Sequence, residues 1–431
     1  MKRIVFMTIR FFLKIVIYMY YGVLSIRDDI KTKKYTDVKV KKEFTGGKVM
    51  LLALYEKHAL RNDTLELLKE AKRNNIFIIG VNTLRLEKDN YPLDLIDVYI
   101  ERDNYGRDFG SYKAGMKYFF ESNFQEKCER LLIINDSVFF SKNTLADFVH
   151  NLFETNIEVL GATENSQHSH HLGSFCISVA GKITRNKKFK DFWYDYKSSN
   201  VRPLVIKRGE FGLSKLLKSL VSSEQHFKSL FNVSFMERKL STDDEFYKSY
   251  YYYRREGERS WANKSITQLL ANDEIISSYY YQYLLEHGKP EEATLVRTEA
   301  AQASKTRSLD SYAERNKVDY LDVVNFFESY HHEKPLLNDQ FKQRLISLYL
   351  DEFTLGSQIH INCLALHKCG LPIIKLDLMF RCVCSMNDII KLRDQLDESQ
   401  REEFMTLILA RLCGDKFLVG LNRLAYQFGI L

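Results

Sequence analysis

Two neighbouring segments hold residue types suited to gripping a phosphate and promoting transfer from it. The first is Asn104-Tyr105-Gly106-Arg107-Asp108-Phe109-Gly110-Ser111-Tyr112 and the second is Leu131-Leu132-Ile133-Ile134-Asn135-Asp136-Ser137-Val138. Gly106 and Gly110 would let a loop approach a ligand closely and turn into a helix. Arg107 offers a planar fork of donors for phosphate, and amides at a helix start favour an anion. A buried strand would then deliver Asp136, where one carboxylate suffices for a divalent cation, Mg or Mn, bridging a diphosphate. Each piece alone has an ordinary explanation, because an Asp after a strand is commonly a cap or turn residue. Order and spacing together favour a site.

Other chemistry-bearing residues are weaker. Glu210 follows Lys207-Arg208-Gly209 where a helix over 213–220 begins. It is a candidate general base, or it complements the helix N-terminus. Asp243 and Asp244 are a rival acidic pair in what reads as a solvated turn. His168, His170 and His171 fit no standard zinc spacing and lack a Cys partner at the right interval. His360, Cys363 and His367 share one helical face, better explained by a packed amphipathic helix. Lys375, Asp377 and Arg381 follow Gly370-Leu371-Pro372 and would hold a diphosphate, a glycan, or simply one another.

The elements positioning these residues are legible as alternation. Apolar runs at 49–55, 76–81, 95–100 and 131–134 alternate with helical patterns around 64–72 and 108–121. This predicts β-α-β units and a mostly parallel sheet with flanking helices, an α/β fold whose ligands gather at the carboxyl ends of the strands. Further runs follow at 158–162 and 172–179, with a helix over 144–153. Beyond about residue 265, helices are expected over 266–285, 320–330, 340–353, 359–368, 387–396 and 399–412. The chain thus divides into an N-terminal helix (1–29), an α/β domain (45–258) and a mainly helical C-terminal domain (259–431).

The 431 residues are 45% hydrophobic and 28% charged with only 5 prolines, an ordinary globular composition without long linkers. The net charge of +7 comes without a basic stripe interleaved with aromatics, so nucleic acid is not indicated. That charge suits an anionic membrane or an anionic donor. Seven scattered cysteines do not form a disulfide framework and suggest a reducing compartment. At the N-terminus, Arg3, Arg10 and Lys14 fall on one stripe of an otherwise apolar helix. Cations at mid-bilayer are costly, so the helix is expected to lie flat at the membrane surface; packing on the body and a single transmembrane anchor are the alternatives. No small-residue cleavage site follows it, as a signal peptide would require.

Taken as a set, the pattern resembles the family 2 glycosyltransferases and, more closely, the rhamnan synthesis protein F family. The motifs carrying the resemblance are Asn104 to Gly110, Asn135-Asp136-Ser137, His171-Leu172-Gly173-Ser174-Phe175, Phe189 with Phe192 and Trp193, Glu210 with Leu213 and Ser214, Ser357 to His360, and Gly370 to Arg381. They cover roughly residues 48–215 and 355–395. The resemblance implies a GT-A-like fold and inverting transfer of a sugar, such as rhamnose or another deoxyhexose, from a nucleotide diphosphate donor to a growing surface polysaccharide (O-antigen, capsule or rhamnan). It implies a lipid-linked glycan acceptor at the cytoplasmic face of the bacterial inner membrane, with the protein peripheral. On this reading Asn104, Gly106, Arg107, Asp108, Gly110, Asn135, Ser137, His171, Lys375 and Arg381 bind donor, Asp136 holds the metal and Glu210 is the base. The usual acidic motif has two aspartates where this chain has Asn135-Asp136-Ser137. A non-catalytic scaffold with a glycosyltransferase-like fold is therefore a second reading. A phosphotransferase is disfavoured because no Walker-type loop is present.

Overall fold

Runs of β-branched and other apolar residues bounded by glycine or polar turns become buried strands, and the longest of them sit at the centre of the sheet. The computed structural model describes residues 2–32, 35–167, 169–255, 274–294, 325–326 and 335–431. In chain order its strands are β1 (Thr36–Lys41), β2 (Gly47–Leu54), β3 (Phe77–Asn82), β4 (Val98–Arg102), β5 (Cys128–Asn135), β6 (Val138–Phe140), β7 (Val159–Gly161), β8 (Glu164–Asn165), β9 (His171–Leu172), β10 (Cys176–Ala180), β11 (Phe227–Ser229) and β12 (Ile373–Lys375). Eight form one sheet in the order β1-β4-β3-β2-β5-β10-β7-β11. Strands β2, β3, β4 and β5 run parallel, as the alternation predicts. Two antiparallel insertions were not foreseen. The lysine-bearing β1 closes one edge against β4, and β10 enters between β5 and β7. Lysines on an exposed edge strand discourage pairing with other chains.

Helix α1 (Lys2–Lys31) precedes the sheet, α2 (Asn62–Arg73) joins β2 to β3, and α3 (Arg107–Glu121) joins β4 to β5. The buried face of α3 carries Phe109, Tyr112, Met116, Phe119 and Phe120 onto the sheet. It approaches closely because position 115 is glycine; a Cβ there would stand 2.2 Å from a Leu51 methyl. Thr64, Leu67, Leu68 and Ala71 play the same part on α2.

The chain folds as two units. One comprises residues 1–232 and 356–431, the other 233–355. This differs from the expected break near 258 because the last 76 residues return to the sheet-bearing unit: β12 pairs antiparallel with β6, next to β5. The 233–355 unit is helical, with Val233–Thr242, Asp244–Ser249, Glu274–Glu286 and Pro335–Phe353; the Tyr250 and Tyr349 rings pack 4.6 Å apart, and Arg254 pairs with Glu352. Asp243, offered above as part of an acidic pair, is the cap of Asp244–Ser249. Of the expected helices, 266–273, 320–324 and 327–330 lie outside the described residues, as does His168. The helix expected over 359–368 breaks at Asn362 into Gln358–Ile361 and Cys363–Lys368. One disulfide, Cys382–Cys413, is present although the cysteine spacing did not suggest it.

Candidate active site

Carboxyl ends of β2, β3, β4 and β5 converge on one edge of the sheet, and the turn Gly173–Phe175 leading into β10 joins them there. Such an edge collects ligands because strand ends leave loops free to specialise.

Asp108, the second residue of α3, accepts a hydrogen bond from Asn135 Nδ2 at 2.9 Å. Asn135 Oδ1 in turn accepts from Ser137 Oγ at 2.8 Å, and Ser137 Oγ accepts from Lys375 Nζ at 3.1 Å. Lys375 arrives because β12 pairs with β6, opposite Val138, and its ammonium sits 4.6 Å from the centre of the Phe175 ring. Burial raises the Asp108 carboxyl, opposed by Lys375 and Arg107; burial likewise lowers Lys375.

Arg107 is held in a left-handed conformation (φ 53), directly after Gly106 (φ 88). A non-glycine residue there is strained by about 1 kcal/mol and needs holding in place. Asn200, which sequence reasoning missed, does this: its Oδ1 accepts from the Gly106 amide and its carbonyl from Arg107 Nε, both at 2.9 Å. Gly106 and Gly110 face protein. Added Cβ atoms would meet Ser198 Cβ at 2.7 Å and the Tyr105 carbonyl at 2.4 Å. Asn104 is exposed beside them.

Glu210 sits in a single π-helical stretch, Ile206–Phe211, within a continuous helical run from Arg202 to Leu220, so it does not begin a helix. Wide turns of this kind recur at functional sites. Gly209 in that stretch lies against the Phe109 ring, where a Cβ would come within 2.8 Å. Ser174 Oγ donates to Glu210 Oε1 at 3.0 Å, and His171 Nε2 lies 3.9 Å from Oε2. His171 Nδ1 is 2.7 Å from the Ser169 carbonyl, which assigns the proton of the neutral ring to Nδ1. His170 pairs separately with Glu164.

Arg381 pairs through Nε with Asp377 Oδ2, whose other oxygen is 3.0 Å from His360 Nε2; His360 Nδ1 is 2.9 Å from Ser357 Oγ. Burial works to raise Asp377, but the bond to His360 and the charges of Arg381 and Lys375 hold it well below the usual carboxylate range. Arg202 belongs to the same field, sharing electrostatic coupling with Arg381, Glu210, Asp377 and Arg107, and burial lowers it to about 10. Arg107, Asp108, Asn135, Ser137, Glu210, Lys375 and Arg381 are therefore brought together, with Arg202 added.

Asp136 is buried and feels the Asp108 charge, both of which raise its carboxyl, but its hydrogen bonds go to a second set. Its Oδ2 accepts the Tyr55 amide at 2.5 Å, and its own amide bonds the Ala53 carbonyl at 3.1 Å. Arg61 Nε stands 2.9 Å from Glu56 and 3.1 Å from Asp63, while Arg61 Nη2 donates to the Asp136 and Val138 carbonyls. Burial lifts Asp136 and Glu56 well above ordinary carboxyls, and the Asp136 charge adds to the lift on Glu56. Sequence reasoning missed Glu56, Arg61 and Asp63, although Glu56 and Asp63 flank the β2 end and the α2 start. This donor set does not fit a divalent cation. A guanidinium already stands between the Glu56 and Asp63 carboxyls, and Lys375 occupies Ser137.

The fold and site define an α/β unit with a cation-rich cluster at its strand ends. Residues 76–256, less than half of the chain, match the family model described as Rhamnan synthesis protein F. The match contains the motifs from Asn104 to Ser214; those from Ser357 to Arg381 lie beyond it. Among curated relatives, the uncharacterized protein y4gN of Sinorhizobium fredii is 24% identical over 196 residues, 42% of this chain and 51% of that one. The virulence protein VirA of Vibrio anguillarum is 39% identical over 108 residues, 24% of this chain and 33% of that one. The chain thus spans about half and about a third of their lengths. Of solved structures, the glycosyltransferase GlyE of Streptococcus pneumoniae aligns at TM-score 0.25 and 12% identity over 47% of this chain and 51% of that one. The mannosyltransferase PcManGT of Pyrobaculum calidifontis, solved with GDP-Man and Mn2+, aligns at TM-score 0.24 and 10% identity over 82% and 97%. At those scores neither superposition bears on fold or function.

Proposed function

We propose that the protein is an inverting glycosyltransferase that moves a sugar, rhamnose or another deoxyhexose, from a nucleotide diphosphate donor to a lipid-linked surface polysaccharide. The observation carrying this is the convergence of Arg107, Arg202, Lys375 and Arg381 around Asp108, Ser137 and Glu210 at the strand ends. The four cations would take the diphosphate and stabilise it as it leaves, the role a metal fills elsewhere. Asp108 and Asn135 would orient the donor sugar. Glu210 would remove the acceptor hydroxyl proton as that oxygen attacks the anomeric carbon and the bond to the diphosphate breaks. The Ser174 hydroxyl, which donates to Glu210 Oε1, would hold that carboxylate in place.

Helix α1 would bring this site to its lipid-linked acceptor at the cytoplasmic face of the inner membrane. The segment Phe6–Lys31 is long and apolar enough to cross a bilayer, and most of it is exposed. The inward-turned Asp136 carboxyl favours the scaffold reading instead. Calorimetric titration with a panel of nucleoside diphosphates and nucleotide sugars, in EDTA and then with Mg or Mn, separates the two. Metal-free binding of one donor, followed by glycan extension, supports the transferase; a folded protein that binds none of them supports the scaffold.

A further inference from the structure

Helix α1 is fastened along one side. The Arg10 guanidinium lies 5.8 Å from the centre of the Phe428 ring, and Ile17 is buried with Ala425 and Ile430. Tyr21 OH donates to Asn422 Oδ1 at 2.5 Å, and Ser25 Oγ is 3.2 Å from Ser199 Oγ. From Arg10 to Ser25 the docked stretch covers about 22 Å of helix, most of the roughly 30 Å of a bilayer core. Crossing the membrane would drag in the partner helix Gly420–Gln427 with Asn422, Arg423 and Gln427, a heavy cost in hydrocarbon. Lying flat leaves those groups in water and gives the lipid the undocked side, where Phe12, Val16, Met19 and Val23 are each about 60% exposed.

Beside α1, the turn entering the partner helix exposes Phe417 (65%), Val419 (80%) and Leu421 (52%). Three large apolar side chains this bare on one short turn are unusual for a surface facing water. Lys416 flanks them and Arg423 pairs beside them with Asp415 at 3.4 Å, while Arg10 and Lys14 line α1. We propose that Phe417–Leu421 is a second membrane-inserting element, entering the same leaflet beside α1, so that two contacts fix the plane of the enzyme on an anionic bilayer. The bare apolar side chains on both α1 and this turn, with Lys416 beside the turn and Arg10 and Lys14 on α1, commit the surface to lipid. The proposal rests on the interfacial reading of α1.

The test uses the full chain with vesicles of equal parts phosphatidylcholine and phosphatidylglycerol. In Val419→Trp the added emission, taken as the difference from the parent, should shift blue on vesicles and be quenched by brominated lipid. Phe417→Ser/Val419→Ser/Leu421→Ser should weaken vesicle affinity roughly 10- to 100-fold with unchanged melting. If Val419→Trp stays unquenched on vesicles the protein binds, the second element is refuted and the α1 reading stands. If the full chain binds no vesicles, both fall. A blue shift that follows protein concentration without lipid assigns the turn to self-association and likewise overturns the proposal.

Discussion

Replacing Lys375 by Met tests whether side-chain cations do the work of a metal. The Lys375 ammonium donates to Ser137 Oγ at 3.1 Å and opposes the burial-driven rise of the Asp108 carboxyl. Met keeps the apolar stem over Phe175 and removes the charge, leaving Asp108 with Arg107 as counter-charge, so some stability is lost and a melt checks that the variant is folded at the assay temperature. Losing one hydrogen bond to a charged group costs about 1.5–3 kcal/mol. At about 1.4 kcal/mol per decade, donor affinity should fall roughly 10- to 150-fold. Titration calorimetry in EDTA reads this directly. Burial lowers Lys375, so the parent should lose donor affinity on the alkaline side below the ordinary lysine range, and Lys375→Arg should remove that limb. Unchanged affinity in Lys375→Met, or binding that appears only with Mn and vanishes in Asp136→Ala, would refute the reasoning.

Glu210→Gln keeps the bond from Ser174 and should lower turnover by about 10²–10⁴-fold with donor affinity retained, measured by glycan extension and calorimetry; normal turnover places the base elsewhere. Asp63 is raised from 3.8 to about 6 by burial, so the folded state binds its proton more tightly than the unfolded one. Its contribution is fully present below about pH 4 and is lost as pH rises through about 6, on the order of 2–3 kcal/mol; Asp63→Asn should flatten that slope in denaturant melts. The Cys382–Cys413 bond closes a loop of sequence separation 31, and removing it by Cys382→Ser/Cys413→Ser should cost about 3–4 kcal/mol of stability, read as a lower denaturation midpoint.

The parallel core and its connecting helices were legible because their signal is local. The β2 run and the α3 stripe carry their periodicity within a few residues, and α3 begins one residue from its expected start. What escaped depends on distant partners. Lysine-bearing β1 has only a short Val38-Lys39-Val40-Lys41 alternation and buries none of its six residues, four being exposed and two partly so; it is a strand only because β4 offers an edge. The return of 356–431 was hidden because β12 is three residues long and exists by pairing with β6. Within the site, Arg107, Asp108, Asn135, Ser137, Glu210, Lys375 and Arg381 stood out through residue type and spacing. Asn200 and Arg202 did not, since neither sits in a motif; their roles come from chain crossings some 90 residues removed from Arg107.

The substitution pattern at the end of β5 has a physical logic that spacing alone did not reveal. A metal-binding acidic motif needs carboxylates that stay ionised and face open space. Here Asn135 uses its amide to hold Asp108, while Asp136 accepts the Tyr55 amide. Arg61 is the buried counter-charge for Glu56, Asp63 and the Asp136 turn, which makes that cluster a structural clamp between β2, α2 and β5. With the acids withdrawn, positive charge reaches the strand ends from elsewhere: Arg107 on a strained helix entry, Arg202 ahead of a π-helical turn, and Lys375 and Arg381 from the returning C-terminal segment. Two of the four cations thus come from residues beyond 356, which ties assembly of the proposed diphosphate site to the same pairing of β12 with β6 that closes the fold.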